Sequence, residues 1–260
     1  MTDSYADAVK LRQQLVEGYR QLPLLEQKIV QLFSVIYEPV SRASFVLCWN
    51  HSEAGNQNGK YFTTSSLKPY LEKLLGLGLL VQQSGQGPQC HLLLVEIATR
   101  DAVQLGQFEM LAKVVQEKLP VSTRGKNGPP DFSNERQLLR QVRIGIYRQD
   151  IRFINQQLEA YYQHSYPKDK LSLDQIYQQV CNNPFAADWF ASLPQELYES
   201  ALSSILNHSL LNLIPADEAF ALLEEDCTKQ GKHSSFVQHI LLTEQLIWRG
   251  KLHSAQRVLE

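Results

Sequence analysis

Residues 63–98 read TTSSLKPYLEKLLGLGLLVQQSGQGPQCHLLLVEIA, and the rest of the chain is most easily understood from this segment outward. Thr63, Thr64, Ser65 and Ser66 are residue types whose side-chain oxygens accept from the free N–H groups at a helix start. Leu67, Leu71, Leu74 and Leu75 then recur at helical spacing and predict one buried face. Gly76 and Gly78 end that helix, because glycine adopts left-handed backbone angles without a Cβ clash. Beyond them LLVQQ and CHLLLVEIA read as two short strands around the turn Ser84-Gly-Gln-Gly-Pro.

Upstream, Ala8, Leu11, Leu15, Val16 and Tyr19 form a helix face within residues 5–20. Pro23 fits the first turn of a second helix, LLEQKIVQLFSVIY, with Leu25, Ile29, Leu32, Phe33 and Ile36 as its buried stripe. Pro39 interrupts, Ser41 begins a third helix containing ASFVLCW, and Asn50–Lys60 reads as a polar Asn/Gly loop. Three helices, the third feeding Gly-Leu-Leu and a hairpin, resemble the winged helix-turn-helix fold over about residues 22–98. The likeness rests on element order and on the phrase L-x-x-L-L-x-x-G-L-L from Leu71 to Leu80.

Downstream, Ala102, Leu105, Phe108, Leu111, Ala112 and Val115 predict a helix over Thr99–Leu119, and PVSTRGKNGPP from Pro120 to Pro130 reads as a linker. From Asp131 only amphipathic helices are expected, over 133–148, 150–164, 171–182, 194–208, 215–230 and 233–249, with one more at 251–260. Their lengths and short connections suit antiparallel pairs. Ile146-Tyr-Arg-Gln-Asp-Ile is echoed by Ile247-Trp-Arg-Gly-Lys-Leu. The stretch LLTEQLIWRGKLHSAQRVLE resembles a tetratricopeptide-type helical hairpin, with Gly250 at the turn and Ala255 small enough for close packing. Thr243 stands where that family has a small residue, so the repeat is irregular. The expected fold class is therefore mainly α: a winged-helix domain (three helices plus a β-hairpin, residues 1–119), a linker at 120–131, and an irregular tetratricopeptide-like antiparallel helical array at 132–260. The last helix has no stop signal, which predicts that the array continues past Glu260.

Apolar residues make up 43% of the 260 and charged residues 20%, a globular balance that excludes wholesale disorder. The net charge of −2 gives no global attraction to nucleic acid or anionic membrane. It divides into 13 Lys/Arg against 11 Asp/Glu (net +2) over residues 1–130 and 12 against 16 (net −4) over 131–260. Cys48, Cys90, Cys181 and Cys227 lie too far apart for a metal or redox pair and read as buried thiols of a reducing compartment. The polar start lacks a signal core, and the longest apolar run, Leu74–Val81, falls well short of the ~20 residues a membrane span needs. A cytoplasmic protein without membrane contact is expected.

No phosphate-binding glycine loop, metalloprotease motif or nucleophile elbow occurs, so no catalytic residue, metal ligand or cofactor is assigned. His51, His91, His233 and His239 have no partner at ligand spacing, and Glu224-Glu-Asp226 reads as a solvated helix face. Tyr161, Tyr162, Tyr166, Phe185, Trp189, Phe190 and Tyr198 read as core aromatics, with a groove for an extended peptide as the alternative.

The winged-helix resemblance implies that the third helix enters the major groove of duplex DNA. That makes Thr64, Ser65, Ser66, Lys68 and Lys73 candidate contacts, with Arg42 on the preceding helix. Against this, the wing SGQGPQ carries no Lys or Arg, whereas duplex binders make ~6–10 phosphate contacts. Arg136, Arg140 and Arg143 recur at i, i+4 and i+7 on helix 133–148, with Arg124, Lys126, Arg148 and Arg152 nearby. Two readings stay open for this stripe: a solvated face paired with Glu135, Asp150 or acidic residues of the next hairpin, or a ridge that binds phosphate or a partner. The phrase LLRQVRIGIYRQDIRFINQQL resembles the amino-terminal region of large bacterial helicase-like ATPases of the Snf type, which implies a motor beyond residue 260. The expected function is thus a non-catalytic region that binds duplex DNA, protein or both. The alternative is a protein scaffold or transcriptional regulator whose winged helix does not touch DNA.

Overall fold

A computed structural model of the chain describes residues 2–52, 61–126, 128–164, 171–228 and 234–259. It is mainly α, with fourteen helices and two two-stranded ribbons among the described residues. The chain divides into two compact units, Met1–Lys168 and Asp169–Glu260.

The first unit begins with α1 (Thr2–Arg20), α2 (Leu24–Ile36) and α3 (Arg42–His51). Helix α2 is the centre. Ile29, Val30, Leu32, Phe33, Val35 and Ile36 are all buried, as expected of a helix apolar on nearly every side. Each such side chain contributes about 1.5–3 kcal/mol by leaving water. Phe33 stacks on Phe45 of α3 with ring centroids 4.1 Å apart, and Trp49 of α3 continues the row at 6.2 Å from Phe45. Ser41 caps α3 by accepting from the Ser44 N–H at 3.0 Å.

Thr63 and Ser66 form a reciprocal capping box at the start of α4 (Thr64–Gly76), which buries Leu67, Leu71 and Leu74 of the four leucines expected on that face and leaves Leu75 half-buried. The ribbon of β1 (Leu80–Gln82) and β2 (Pro88–Cys90) follows, with Leu80 opposite Cys90 and Gln82 opposite Pro88. The Val40 N–H, in the segment between α2 and α3, donates to the Pro88 carbonyl at 3.2 Å, so that segment lies along the second strand.

The second strand, expected over residues 90–98, is instead Pro88–Cys90, two of its three residues coming from the SGQGPQ stretch between the expected strands. The chain turns and enters α5 (Val95–Gln104), burying Leu94, Ala98 and Ala102 four residues apart. The single helix expected over 99–119 is two, α5 and α6 (Phe108–Lys118), with Gly106 between them at φ 67. Of the loop expected at Asn50–Lys60, residues 53–60 lie outside the described residues.

Residues 120–131, expected as a linker, lie inside the first unit. Their ends pair as β3 (Ser122–Thr123) and β4 (Pro130–Asp131), and Arg124 reaches Asp131 at 3.2 Å. Helices α7 (Glu135–Arg148) and α8 (Ile151–His164) complete the unit. Gly145 lets them approach closely, since a Cβ there would lie 2.6 Å from Ile154 Cγ1.

The second unit holds α9 (Leu173–Cys181), the short α10 (Ala187–Phe190), α11 (Gln195–Asn212), α12 (Asp217–Thr228), α13 (Phe236–Trp248) and α14 (Leu252–Leu259). Helix α11 packs on α9, α12 and α13, and α13 on α12 and α14. Ile176, Val180, Phe190, Tyr198, Leu202, Leu206, Leu223, Leu242 and Leu246 form the core. Phe190 lies between Phe185 and Tyr198 with ring centroids 4.9 and 5.1 Å away; Phe190 and Tyr198 are buried and Phe185 is half-buried at their edge. Tyr161 and Tyr162 sit instead in the first unit, and Tyr166 is outside the described residues.

Candidate functional site

Three surfaces and one interior cluster hold the candidate side chains. The first surface is the exposed side of α4. Thr64, Ser65, Ser66 and Lys68 all face solvent, and Arg42 is exposed in the first turn of α3. The Ser66 hydroxyl is already used, accepting the Thr63 N–H at 2.8 Å. Lys73 grips both oxygens of Glu26 at 2.9 and 2.8 Å, and Lys68 lies 3.6 Å from Glu72. The ribbon tip, residues 82–86, is exposed and uncharged. The face is therefore polar but close to neutral, since two of its three cations stand against carboxylates.

The arginine stripe of α7 turns inward, which corrects both readings expected for Arg140 and Arg143. Arg143 is only 2% exposed. Its Nε donates to Glu96 Oε1 at 2.7 Å, while Nη2 donates to Glu96 Oε2 at 3.1 Å and to Thr99 Oγ1 at 3.0 Å. Its Nη1 donates to the Ser34 carbonyl at 2.9 Å, and the guanidinium lies 4.4 Å over the ring of Tyr37. Tyr147 donates to Glu96 Oε2 at 2.8 Å. Arg140 is equally buried; it pairs with Glu38 at 2.6 Å and donates to the Leu119 carbonyl at 2.8 Å. Arg136, half-buried, donates to Gln89 of β2 at 3.3 Å. Arg148 reaches Glu109 and Gln116 of α6, each at 2.8 Å. Neither Glu135 nor Asp150 is the counter-charge of the two buried arginines, and neither guanidinium is open to a phosphate. Spacing shows which residues share a helix face but not which face the core covers.

Electrostatics agree with the geometry. Burial opposes the Arg143 charge, yet the Glu96 carboxylate more than offsets it and holds the guanidinium above its usual pKa. Burial, with Glu96 beside it, pushes the Tyr147 phenol far up. Burial lowers Arg140 and raises Glu38 even though the two are paired. Such a cluster fixes the mutual placement of α2, α5 and α7. Glu96 was the one clue in the sequence, a carboxylate inside the apolar run HLLLVEIA, which a buried segment tolerates only with a partner.

The second surface is an open cleft of about 680 Å³ in the first unit, lined among others by Glu38, Phe132, Asn134, Arg136 and Tyr161. Its lining mixes the charges of Glu38, Glu135 and Arg136 with the hydroxyls of Ser133 and Tyr161. Burial pushes the Cys48, Cys90 and Cys227 thiols up to about 11, 12 and 11, so they are not thiolates at neutral pH. His51 and His239 bond to the carbonyls of Leu47 and Ser235 one helical turn earlier. His233 lies outside the described residues. Asp226, expected on a solvated face, is buried and accepts from the Tyr198 hydroxyl. Among the described residues no three His, Cys, Asp or Glu side chains are grouped to hold a metal, and no helix is long and apolar enough to cross a membrane.

The third surface was not foreseen. On α13, Phe236 is 80% and Trp248 75% exposed, and Val237, Ile240 and Ile247 are also exposed. With Glu244 they fall within an arc of about 120° at 3.6 residues per turn. Five of the six residues that this arc presents to solvent are apolar. The opposite side is buried through Leu241, Leu242 and Leu246, together with Gln238 and Gln245, whose amides lack hydrogen-bond partners among the described residues.

No family model matches the chain, and neither a characterised protein nor a solved structure matches it.

Proposed function

We propose that this chain is a non-catalytic recognition module that binds protein. Its first unit serves as a winged-helix-like scaffold and its second as an irregular tetratricopeptide-like array whose last hairpin offers the contact surface. The observation that carries this is the solvent-facing arc of α13, apolar at Phe236, Val237, Ile240, Ile247 and Trp248. Clustered exposed apolar side chains mark interaction sites, and tryptophan is among the residues that dominate interface energetics. The winged-helix-like reading is supported by the order of α2, α3, α4 and the β1–β2 ribbon, and by the Val40–Pro88 bond that brings the segment after α2 alongside the ribbon. The likeness to Snf-type helicase-like ATPases fits a targeting region that accompanies a motor.

Duplex DNA binding is the competing reading, favoured by the exposure of Arg42, Thr64, Ser65, Ser66 and Lys68. The loss of Arg140 and Arg143 to internal carboxylates weakens it, because duplex affinity rests on many phosphate contacts. Anisotropy titration of a random duplex at low and moderate salt separates the two. The protein-binding reading expects nothing tighter than the non-specific range of roughly 10⁻⁴–10⁻⁶ M, and no change on Arg42→Ala with Lys68→Ala. Sub-micromolar affinity that falls steeply with salt and is lost in that variant would overturn it.

A further inference from the structure

We infer that the partner of the α13 surface is a second copy of this chain, α13 lying antiparallel on α13 about a two-fold axis. The inference rests on the protein-binding reading and names the occupant of that same surface.

The spacing of the exposed residues is self-complementary. Phe236 stands six residues before Leu242 and Trp248 six after it, while Val237 stands five before and Ile247 five after. In an antiparallel pair centred on Leu242, the Phe236–Val237 end of one copy meets the Ile247–Trp248 end of the other, with Phe236 on the side of Ile247 and Val237 on the side of Trp248. Each residue then contacts its counterpart reciprocally, the condition a two-fold contact imposes. Four of the five exposed apolar side chains acquire apolar mates. The fifth, Ile240, comes opposite Glu244.

Area sets the strength. A fully buried Phe or Trp removes ~150–250 Å² from water. With both aromatics largely exposed and three aliphatics about half-exposed, each copy contributes about 500 Å². The pair then buries about 1,000 Å² in total, at the lower edge of specific interfaces. The contact is thus a weak, concentration-dependent dimer. Glu244, the sole charge in the arc, limits it further, because the two copies of this carboxylate flank the axis and repel each other.

Sedimentation equilibrium of the 260-residue, 29.7 kDa chain over a wide micromolar range tests the inference. Wild-type protein should show a monomer–dimer equilibrium with a dissociation constant on the order of 10⁻⁵ M. Phe236→Ser with Trp248→Ser should weaken it at least tenfold while circular dichroism and thermal midpoint stay unchanged, since both side chains are exposed. Glu244→Leu should tighten it several-fold, an effect that folding alone would not produce, and Leu24→Ser in the first unit should leave it unchanged. A chain that stays monomeric throughout, or a dimer indifferent to the α13 substitutions, overturns the inference. Monomeric behaviour would overturn the second copy as occupant, whereas the protein-binding reading itself falls only to salt-steep, sub-micromolar duplex binding.

Discussion

At the residue scale the molecule turns on Arg143 and Glu96, two opposite charges brought together from positions 47 residues apart and almost wholly removed from water. A buried pair is not in itself a large source of stability, but breaking one side of it strands the other charge. Arg143→Met is therefore expected to cost about 3–5 kcal/mol in denaturant unfolding. Arg143→Met combined with Glu96→Gln should recover more than half of that loss, because the neutral amide still accepts from Tyr147. A double variant no more stable than Arg143→Met would show that the charges do not act as a pair. The arginine spacing was legible in the sequence, but its meaning was not, because the counter-charge comes from another helix. His91 offers a test of pH. Burial holds its pKa below the usual 6.5, and its Nδ1 accepts the Leu93 N–H at 3.1 Å. With the folded value below the unfolded one, its contribution is whole above pH 6.5 and is lost as pH falls through the folded value. His91→Asn keeps an acceptor without titrating, so unfolding free energies measured between about pH 7 and 5 should fall less in the variant than in the wild type.

At the element scale, the capped start of α4, its leucine face and the first strand of the hairpin were readable, because each depends on neighbours within a turn or two. The run Leu92–Ala98 was not. An unbroken apolar run reads equally as a buried strand or as the entry to a buried helix, and only the surrounding core decides. The end-to-end helix expected at 99–119 failed at Gly106, whose positive φ closes α5. The closeness of α7 and α8 was likewise hidden in one glycine. Gly145→Ala gains ~0.5–1 kcal/mol of helix propensity but drives a methyl into Ile154, an overpacking that costs ~1–3 kcal/mol. A net loss of about 1 kcal/mol is expected, and a more stable variant would contradict the close approach. On α13 the opposite change should help. Gln245 is fully buried with an amide that has no hydrogen-bond partner among the described residues, so Gln245→Leu should raise the stability of the second unit by about 1–3 kcal/mol in denaturant unfolding. No gain would mean that the amide has a partner after all.

At the scale of the whole molecule, the Pro/Gly-rich segment 120–131 has the composition of a linker, yet it lies within the first unit, where its ends pair and α7 beyond it is bound to α2 and α5 by the buried Arg143. Composition reports local chain preference and is blind to such ties. The α13 surface was hidden for a related reason. Phe236, Ile240, Ile247 and Trp248 are plain in the sequence, but a helix apolar on most sides does not disclose which side its neighbours cover. Fluorescence quenching of Trp248, taken as the difference between wild type and Trp248→Phe, tests most directly whether that arc is where the molecule meets its partner. The account predicts a Trp248 fully accessible to quencher in dilute protein that becomes protected, with a blue-shifted emission, as concentration rises through the micromolar range. A Trp248 equally quenchable at every concentration, or already shielded at the lowest, would contradict it.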